Sequence, residues 1–296
     1  MKRTFLHSVL RIFIKEQNLK WVPDPLYLRL RYFVLMKKFL RLKNPRTYNE
    51  KLQWLKLYDR KPIYTEMVDK LTAKEYVAKR IGEEYIIKTL GVWEHFDDID
   101  FEALPDRFVL KCTHDSGGLV IVTDKRILDK ERAREKIEKS LKLNFYWTAR
   151  EWPYKNVKPR IIAEEYMEDK ITSELRDYKF FCFNGEAKAL FVASERQNED
   201  EETKFDFFDM DYNHLQIVNG HPNAKVPPQK PQNFEKMKEL AGKLSKGIPH
   251  LRVDFYEVNG KIYFGELTFS HWSGMVPFEP AEWDKIFGDW IELPKR

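Results

Sequence analysis

Cysteine is scarce in this chain, with only Cys112 and Cys182 among 296 residues. Each sits inside an apolar run, so neither a disulfide framework nor a cysteine-held metal is supported, and a reducing cytoplasm fits. Long hydrophobic runs are missing too: no stretch approaches the ~20 apolar residues that a membrane-crossing helix needs. The first 21 residues are basic and partly apolar, but Arg11 and Lys15 interrupt them and no small-residue cleavage site follows, which argues against a secretory leader. The glycine spacings of a Walker loop and of a dinucleotide fingerprint are absent. So are internal repeats and low-complexity tracts.

What remains describes a soluble globular protein of one composite domain or two: 43% hydrophobic, 15% aromatic and 33% charged residues. Charge is unevenly placed. Residues 1–60 hold 15 Lys/Arg against 4 Asp/Glu, a net +11, so the rest must carry −6 to reach the total of +5. The basic, aromatic stretch from Tyr27 to Arg41 either meets an anionic surface such as a membrane or acidic glycan, or is a docking helix whose cations face water.

Periodicity predicts a helix from about Pro25 to Phe39, and Thr47 with Glu50 has capping-box spacing ahead of a short second one. A third is expected over Met67 to Arg80, with Lys70 near its start and Gly82 as its stop. Ile86-Ile87 and Phe108 to Cys112 read as strands. The latter runs into Thr113-His114-Asp115-Ser116-Gly117-Gly118 and a second strand to Val122. Backbone N–H groups of such a glycine-containing loop can approach a phosphate closely, with Lys111 adding a charge, although a plain hairpin gives the same pattern. A charged helix follows from Leu128 to Leu143, then a strand from Arg160 to Met167. Residues 175–192 form a hairpin with Asn184-Gly185 at its tip. Residues 194–230 read as loops with a weak edge strand, and Phe234 to Leu244 as a helix.

The stretch from Arg252 to Thr268 organises the rest. Both arms are rich in β-branched and aromatic residues, with Asn259-Gly260 at the turn. A two-residue loop would put Asp254 and Glu266 on opposite faces. A three-residue loop, Val258-Asn259-Gly260, closes on Glu257 and Lys261 and puts both acids on one face, together with Arg252 and Thr268. The expectation is the three-residue loop. Its diagonal Asp254 and Glu266 would be roughly 7–8 Å apart between the two backbones, a gap that a divalent cation with oxygen ligands can fill; an ordinary charged hairpin face is the alternative.

In order, Asn44 to Lys56, Asp69-Lys70, Phe108 to Gly118, Glu164-Glu165-Tyr166, Asp177-Tyr178-Lys179-Phe180 and Gly265 to Thr268 resemble the ATP-grasp superfamily, most closely its TupA-like branch from teichuronopeptide biosynthesis. The likeness spans about residues 44–280. It implies an α+β fold with two α+β subdomains clamping ATP, preceded by a basic helical segment at 1–43 and a region at 44–106, with the catalytic core at 107–296. It implies ATP and Mg2+ as cofactors. Lys70 and Lys111 match the phosphate lysines, and Ser116, Gly117 and Gly118 the flexible loop. Glu164, Glu165, Tyr166 and Met167 match the adenine hinge. Asp177, with Glu174 as an alternative, matches the acid near the ribose, and Lys179 belongs to the same ATP-binding set. Asp254 and Glu266 match the metal ligands, and Arg252 the arginine that steadies the reacting carboxylate. Thr268 stands where many relatives have asparagine, which leaves a third ligand and the number of metal ions open.

The implied reaction is an ATP-dependent carboxylate–amine ligation through an acyl phosphate, joining an amino acid or amine to a uronic acid of a cell-surface polysaccharide or its precursor. Expected partners are ATP, a carboxylate-bearing sugar or glycan and an amine donor, with peripheral contact to an anionic membrane from the cytoplasm and no nucleic acid. One alternative is a glycosyltransferase, for which Asp98-Ile99-Asp100 and Asp209-Met210-Asp211 are the metal-binding candidates. The other is a non-catalytic protein that binds glycan or membrane.

Overall fold

A computed structural model describes residues 19–115, 117–170, 174–195 and 202–295. Helix α1 (Asp24–Met36) buries Tyr27, Leu28, Tyr32, Val34 and Met36 and leaves Leu26 and Arg29 in water. Helix α2 (Tyr48–Tyr58) starts with the expected capping box: the Glu50 N–H donates to Thr47 Oγ1 at 3.4 Å, and the Thr47 N–H donates to Glu50 Oε2 at 3.3 Å.

The helix expected over Met67 to Arg80 is two, α3 (Ile63–Val68) and α4 (Thr72–Ile81). Asp69 breaks them. It turns extended at ψ 115, accepts the Leu71 N–H on its carboxylate at 2.9 Å and forms an ion pair with Arg160 at 2.6 Å. That local hydrogen bond competes with the helix ladder. Lys70 therefore lies in the break, where its own N–H donates to Thr113 O at 3.0 Å.

Strands β1 (Thr89–Trp93), β2 (Phe108–Cys112), β3 (Leu119–Val122) and β4 (Ile161–Glu165) form an antiparallel sheet in the order β1-β4-β2-β3. The early strand thus begins at Thr89, and Ile86-Ile87 lie before it, after a short 3-10 turn at Glu83–Tyr85. Helix α5 (Lys130–Leu141) covers this sheet with Ala133 and Ile137, against Phe108, Leu110, Cys112 and Ile161. Tyr146–Ala149 is the short helix α6.

The second sheet has six antiparallel strands, β5 (Asp177–Phe183), β6 (Glu186–Ser194), β7 (Lys204–Phe208), β8 (His214–Leu215), β9 (Leu251–Val258) and β10 (Lys261–Thr268), ordered β10-β9-β5-β6-β7-β8. Helix α7 (Phe234–Ser245) and α4 cover one face, where Phe180, Leu190, Val192, Val253 and Phe255 meet Phe234, Met237 and Leu240. Helix α8 (Glu282–Trp290), which periodicity did not disclose, joins α2 on the other face. There Tyr48, Leu52 and Phe287 close over Phe181, Phe183 and Phe191. Each such buried aromatic contributes roughly 1.5–3 kcal/mol. This second face changes character along its length, from phenylalanine under α2 and α8 to charge at the β5-β9-β10 end.

Candidate active site

The β9-β10 hairpin turns in two residues, not three. Val258 pairs with Lys261, and Asn259 and Gly260 both have positive φ, 50° and 75°, the geometry that suits the twist of an Asn-Gly hairpin. By that turn alone Asp254 and Glu266 would lie on opposite faces. The register shifts between Phe264 and Glu266, however, so Gly265 is an extra, unpaired residue. Beyond it Glu266 stands directly across from Asp254, and Thr268 from Arg252. The expected common face exists, but a bulge creates it, and the acids are direct rather than diagonal neighbours. A Cβ at Gly265 would lie 3.1 Å from Asp254 O and 3.3 Å from Tyr256 Cε2, so this close approach favours glycine.

Register extends the row across the sheet. Glu266, Asp254 and Lys179 face one another on β10, β9 and β5, and the row continues through Phe191 to Phe207. Thr268, Arg252 and Phe181 form the next row. The Lys179 ammonium sits 2.5 Å from Asp177 Oδ2 and 2.5 Å from Asp254 Oδ2. Arg252 is buried and engages four groups: both Asp254 oxygens at 2.8 and 2.7 Å, Glu266 Oε1 at 2.7 Å, Thr268 Oγ1 at 3.0 Å and His271 Nδ1 at 2.8 Å. Burial opposes charge on Arg252, but Asp254 and Glu266 outweigh it and raise its pKa. The Glu266 carboxyl is held well below the usual range, because Lys179, Arg252 and Lys70 outweigh its desolvation. Burial pushes Asp254 up, against the pull of Arg252 and Lys179.

Facing this row across a cleft of about 210 Å3 are Lys70, Lys74 and Lys111. Lys111 and Lys74 bind the two oxygens of buried Glu164, each at 2.5 Å, and hold its carboxyl below the ordinary range although burial acts the other way. Lys70 donates to Asp115 O, and its burial depresses its pKa against the attraction of Glu266 and Asp115. Lys74 was not singled out from the sequence. Its position four residues after Lys70 is the signal that could have found it.

The remaining expected residues are placed as follows. Asp177 and Gly118 line the cleft, and Gly117 lies just outside it on the β2-β3 turn. Gly118 touches Cys112 so closely that a Cβ would lie 2.4 Å from its sulfur. Ser116 lies outside the described residues. Of the hinge, Glu164 points its side chain at the lysines, Glu165 is exposed, and the Tyr166 ring stacks on the Arg107 guanidinium at 4.1 Å. Met167 follows as the chain leaves the sheet. Glu174 pairs instead with Arg176 at 3.2 Å. The two Asp-x-Asp stretches serve turns: Asp100 accepts the Glu102 N–H at 3.0 Å, and Asp209 those of Asp211 and Asn213 at 2.9 and 2.8 Å.

A family model described as TupA-like ATP-grasp matches residues 50–292. The chain belongs to this TupA-like ATP-grasp family. Among solved structures, this ATP-grasp chain is similar to D-alanine-D-alanine ligase from Helicobacter pylori, at 16% identity over 83% of this chain and 69% of that one, with a TM-score of 0.46. L-amino acid ligase from Bacillus licheniformis aligns at 11% identity over 83% and 53%, with a TM-score of 0.43. N5-carboxyaminoimidazole synthase from Aspergillus clavatus, in complex with ADP and 5-aminoimidazole ribonucleotide, aligns at 14% identity over 71% and 46%, with a TM-score of 0.40. The TupA-like chain thus spans less than half the length of that last protein. No curated protein gives a significant match.

The ATP-grasp fold implies Mg2+, and the donor chemistry here can be tested for it. Among the described residues no three His, Cys, Asp or Glu side chains converge on a metal position. Two carboxylates do stand side by side, and the Glu266 side chain is 42% exposed to the cleft, whereas that of Asp254 is fully buried. Mg2+ takes hard oxygens and is commonly held by one or two carboxylates with phosphate oxygens and water completing its shell. The residues fit that mode.

Proposed function

We propose that this protein is an ATP-dependent carboxylate–amine ligase that attaches an amino acid or amine to a uronic acid of a cell-surface polysaccharide or its precursor. The observation that carries the reading is the meeting of two charged sets across one cleft: Lys70, Lys74 and Lys111 on one side, Lys179 and Glu266 on the other, with buried Arg252 and Asp254 bonded behind them. Such an arrangement suits a polyanion that must be both neutralised and aligned, since phosphoryl transfer is mostly a matter of positioning and charge.

A carboxylate does not condense with an amine unaided, because oxide is too poor a leaving group. In the proposed reaction a carboxylate oxygen attacks the terminal phosphorus of ATP and ADP leaves. The amine then attacks the acyl carbon, and phosphate departs with that oxygen and the electron pair of the broken C–O bond. Lys70, Lys74 and Lys111 take the phosphate charge. Arg252, supported by neutral His271, steadies the reacting carboxylate and the charge that develops on it. Glu266, the carboxylate open to the cleft, would hold Mg2+, which when bound offsets charge on the phosphate oxygens, while Asp254 behind it would be a second ligand only on giving up an oxygen now held by Arg252 or Lys179. Residues 107–296 then form the catalytic core, with 44–106 contributing Lys70 and Lys74.

No helix among the described residues is long and apolar enough to cross a membrane. We assign the chain to the cytoplasm with its basic end against an anionic membrane. Trp21 and Phe39, 79% and 81% exposed, beside Lys20, Lys37 and Lys38 support that contact. The test of the reaction is release of ADP and phosphate from Mg-ATP across a matrix of uronic acids, sugar nucleotides and amino acids, with mass spectrometry of the product. ADP release that needs both a carboxylate and an amine is expected; release with neither, or transfer of a sugar from its nucleotide, would overturn the reading.

A further inference from the structure

Beside the phosphate cleft lies a second, smaller hollow of about 40 Å3. It shares Lys70, Asp115, Phe264, Gly265 and Glu266 with the cleft, so the two spaces adjoin along those residues. The rest of its wall is Met67, Val68, Ala73, Phe145, Leu267 and Tyr154. Away from the shared border the hollow is therefore apolar except for one group, the Tyr154 phenol. At ~10–15 Å3 for each water, it has room for roughly three waters, or for a ligand fragment of a few heavy atoms.

Tyr154 comes from a segment that none of the sequence motifs reached. It ends the 3-10 turn Trp152–Tyr154, where its N–H donates to Glu151 O at 3.1 Å. Its ring packs edge-to-face on Phe145, with centroids 5.0 Å apart and planes at 66°, so two of the wall's side chains hold each other in place. Its hydroxyl makes no hydrogen bond among the described residues, yet it is not sealed in the core. An open polar group in an otherwise apolar wall is completed by a ligand or by water.

The charges around that hydroxyl decide the kind of ligand. Burial is the main cause of its raised pKa, and the carboxylates of Glu151, Glu266 and Asp254 add to the rise, with Arg252 acting against them. The phenol therefore stays protonated, and carboxylates outnumber the cation in the field at its oxygen. A second carboxylate or a phosphate placed there would be repelled. An amine would not: its N–H donates to the phenol oxygen, and its protonated form is drawn by the same charges. Lys70, the cation at the border, has its ammonium directed to Asp115 O.

We propose that this hollow seats the amine donor, with Tyr154 holding the amine, and that it admits only a donor with a small substituent. This rests on the ligase reading above and narrows its donor to an amine or amino acid of about the size of glycine or alanine. Larger side chains are excluded because Met67, Ala73 and Leu267 belong to the core of the six-stranded sheet, and a close-packed interior does not give way cheaply. A donor seated here lies against Lys70 and Glu266, the same two residues that line the phosphate cleft.

Saturation-transfer NMR on the full chain with ADP and Mg2+ tests it, using methylamine, glycine, L-alanine, L-leucine and L-phenylalanine as probes. At least one of the first three should take up saturation, and L-leucine and L-phenylalanine should not. Tyr154→Phe, which removes only the hydroxyl, should weaken the small amine about fivefold, the scale of one hydrogen bond. Val68→Ile, which adds one carbon to the wall, should weaken it at least as much. ADP affinity and melting temperature should stay near those of the wild type in both. Unchanged amine binding in Tyr154→Phe or Val68→Ile, or equal uptake by L-phenylalanine and glycine, overturns the assignment. So does uptake by none of the five, which leaves water as the occupant. ADP release that runs as well with L-phenylalanine as with glycine would overturn the hollow's role and leave the ligase reading intact. Small-amine binding through Tyr154 without ADP release on any carboxylate and amine would keep the hollow and overturn the ligase reading instead.

Discussion

Asp254 and Glu266 face each other directly across β9 and β10, and the unpaired Gly265 lets them do so after a two-residue turn. Two glycines thus act on one hairpin in different ways. Gly260 serves the turn, where φ is 75° and a Cβ would find only Gln232 Oε1 at 3.7 Å. Gly265 serves the bulge, where a Cβ meets the Asp254 carbonyl. Gly265→Val should displace the acids and lower Mg-ATP turnover at least about tenfold, equivalent to about 1.4 kcal/mol, with a modest change in melting temperature. Gly260→Val should do the reverse, losing about 1–2 kcal/mol of stability with most turnover retained. Parallel ADP-release assays and thermal melts decide; equal behaviour of the two variants would refute this division of roles.

Glu164 holds Lys74 and Lys111 with its two oxygens, so neither lysine is a spectator of the other. Lys111→Ala and Lys74→Ala should each weaken ATP binding about tenfold, or about 1.4 kcal/mol, while one lysine remains to balance the carboxylate. The double variant strands a buried carboxylate, a change of the kind that costs about 3–5 kcal/mol. Its loss of stability should therefore exceed the sum of the single losses. Urea titrations and calorimetric ATP binding supply both numbers, and additive stability with unchanged affinity would remove these lysines from the phosphate site.

How much of this was legible beforehand differs residue by residue. The charged ends of β2, β5, β9 and β10 could be read because strand alternation and turn residues are local signals. Parity alone places both acids on one face with a three-residue turn, whereas the chain uses a two-residue turn and a bulge. An isolated glycine inside a strand, Gly265, is the usual mark of a bulge and offered a second solution. Asp69 splitting a helix was hidden because its partner Arg160 is 91 residues away. His271 and Asn219 had no signal at all: lone residues 52 apart acquire meaning only once folding brings them to Arg252. Within 194–230 the short strand β7 gives only a weak local signal: Phe205 and Phe207 face one core and Phe208 the other, with buried Asp206 between them.

His250 gives the fold a pH dependence of known sign. It is fully enclosed, with Nδ1–H donating to Phe269 O at 3.1 Å and Nε2 accepting from the Tyr48 hydroxyl at 3.0 Å. Burial, the largest influence, lowers its pKa to about 3. The unfolded chain, with a pKa near ~6.5, takes up that proton first as the solution acidifies. Stability should then be full above pH ~6.5 and fall by about 1.4 kcal/mol per pH unit below it, down towards pH 3. Urea unfolding at pH 7.5 and 5.5 should show the loss, reduced in His250→Gln. A flat profile, or the same slope in the variant, would exclude His250 as the source.

The two acids of the cleft should respond differently to loss of charge, because only one of them is structurally committed. Asp254 is fully buried and both oxygens are taken, Oδ1 by Arg252 and Oδ2 by Arg252 and Lys179. Asp254→Asn would leave two buried cations short of their counter-charge, a change of the kind that costs about 3–5 kcal/mol, and the melting temperature should fall by several degrees or more. Glu266 is open to the cleft and shares Arg252 with Asp254, so Glu266→Gln removes a charge that the nearby cations favour but leaves Arg252 its bond to Asp254. Its melting temperature without ligand should fall by less than that of Asp254→Asn. What it should lose is the extra stabilisation given by Mg-ADP together, since a ligand that binds only the folded state raises stability in proportion to its occupancy. Melts with ADP alone, Mg2+ alone and both separate these effects: wild type should gain most from the pair, and Glu266→Gln should gain no more from the pair than from ADP alone. An undiminished Mg2+ increment in that variant would mean that Glu266 holds no metal and serves only to orient Arg252.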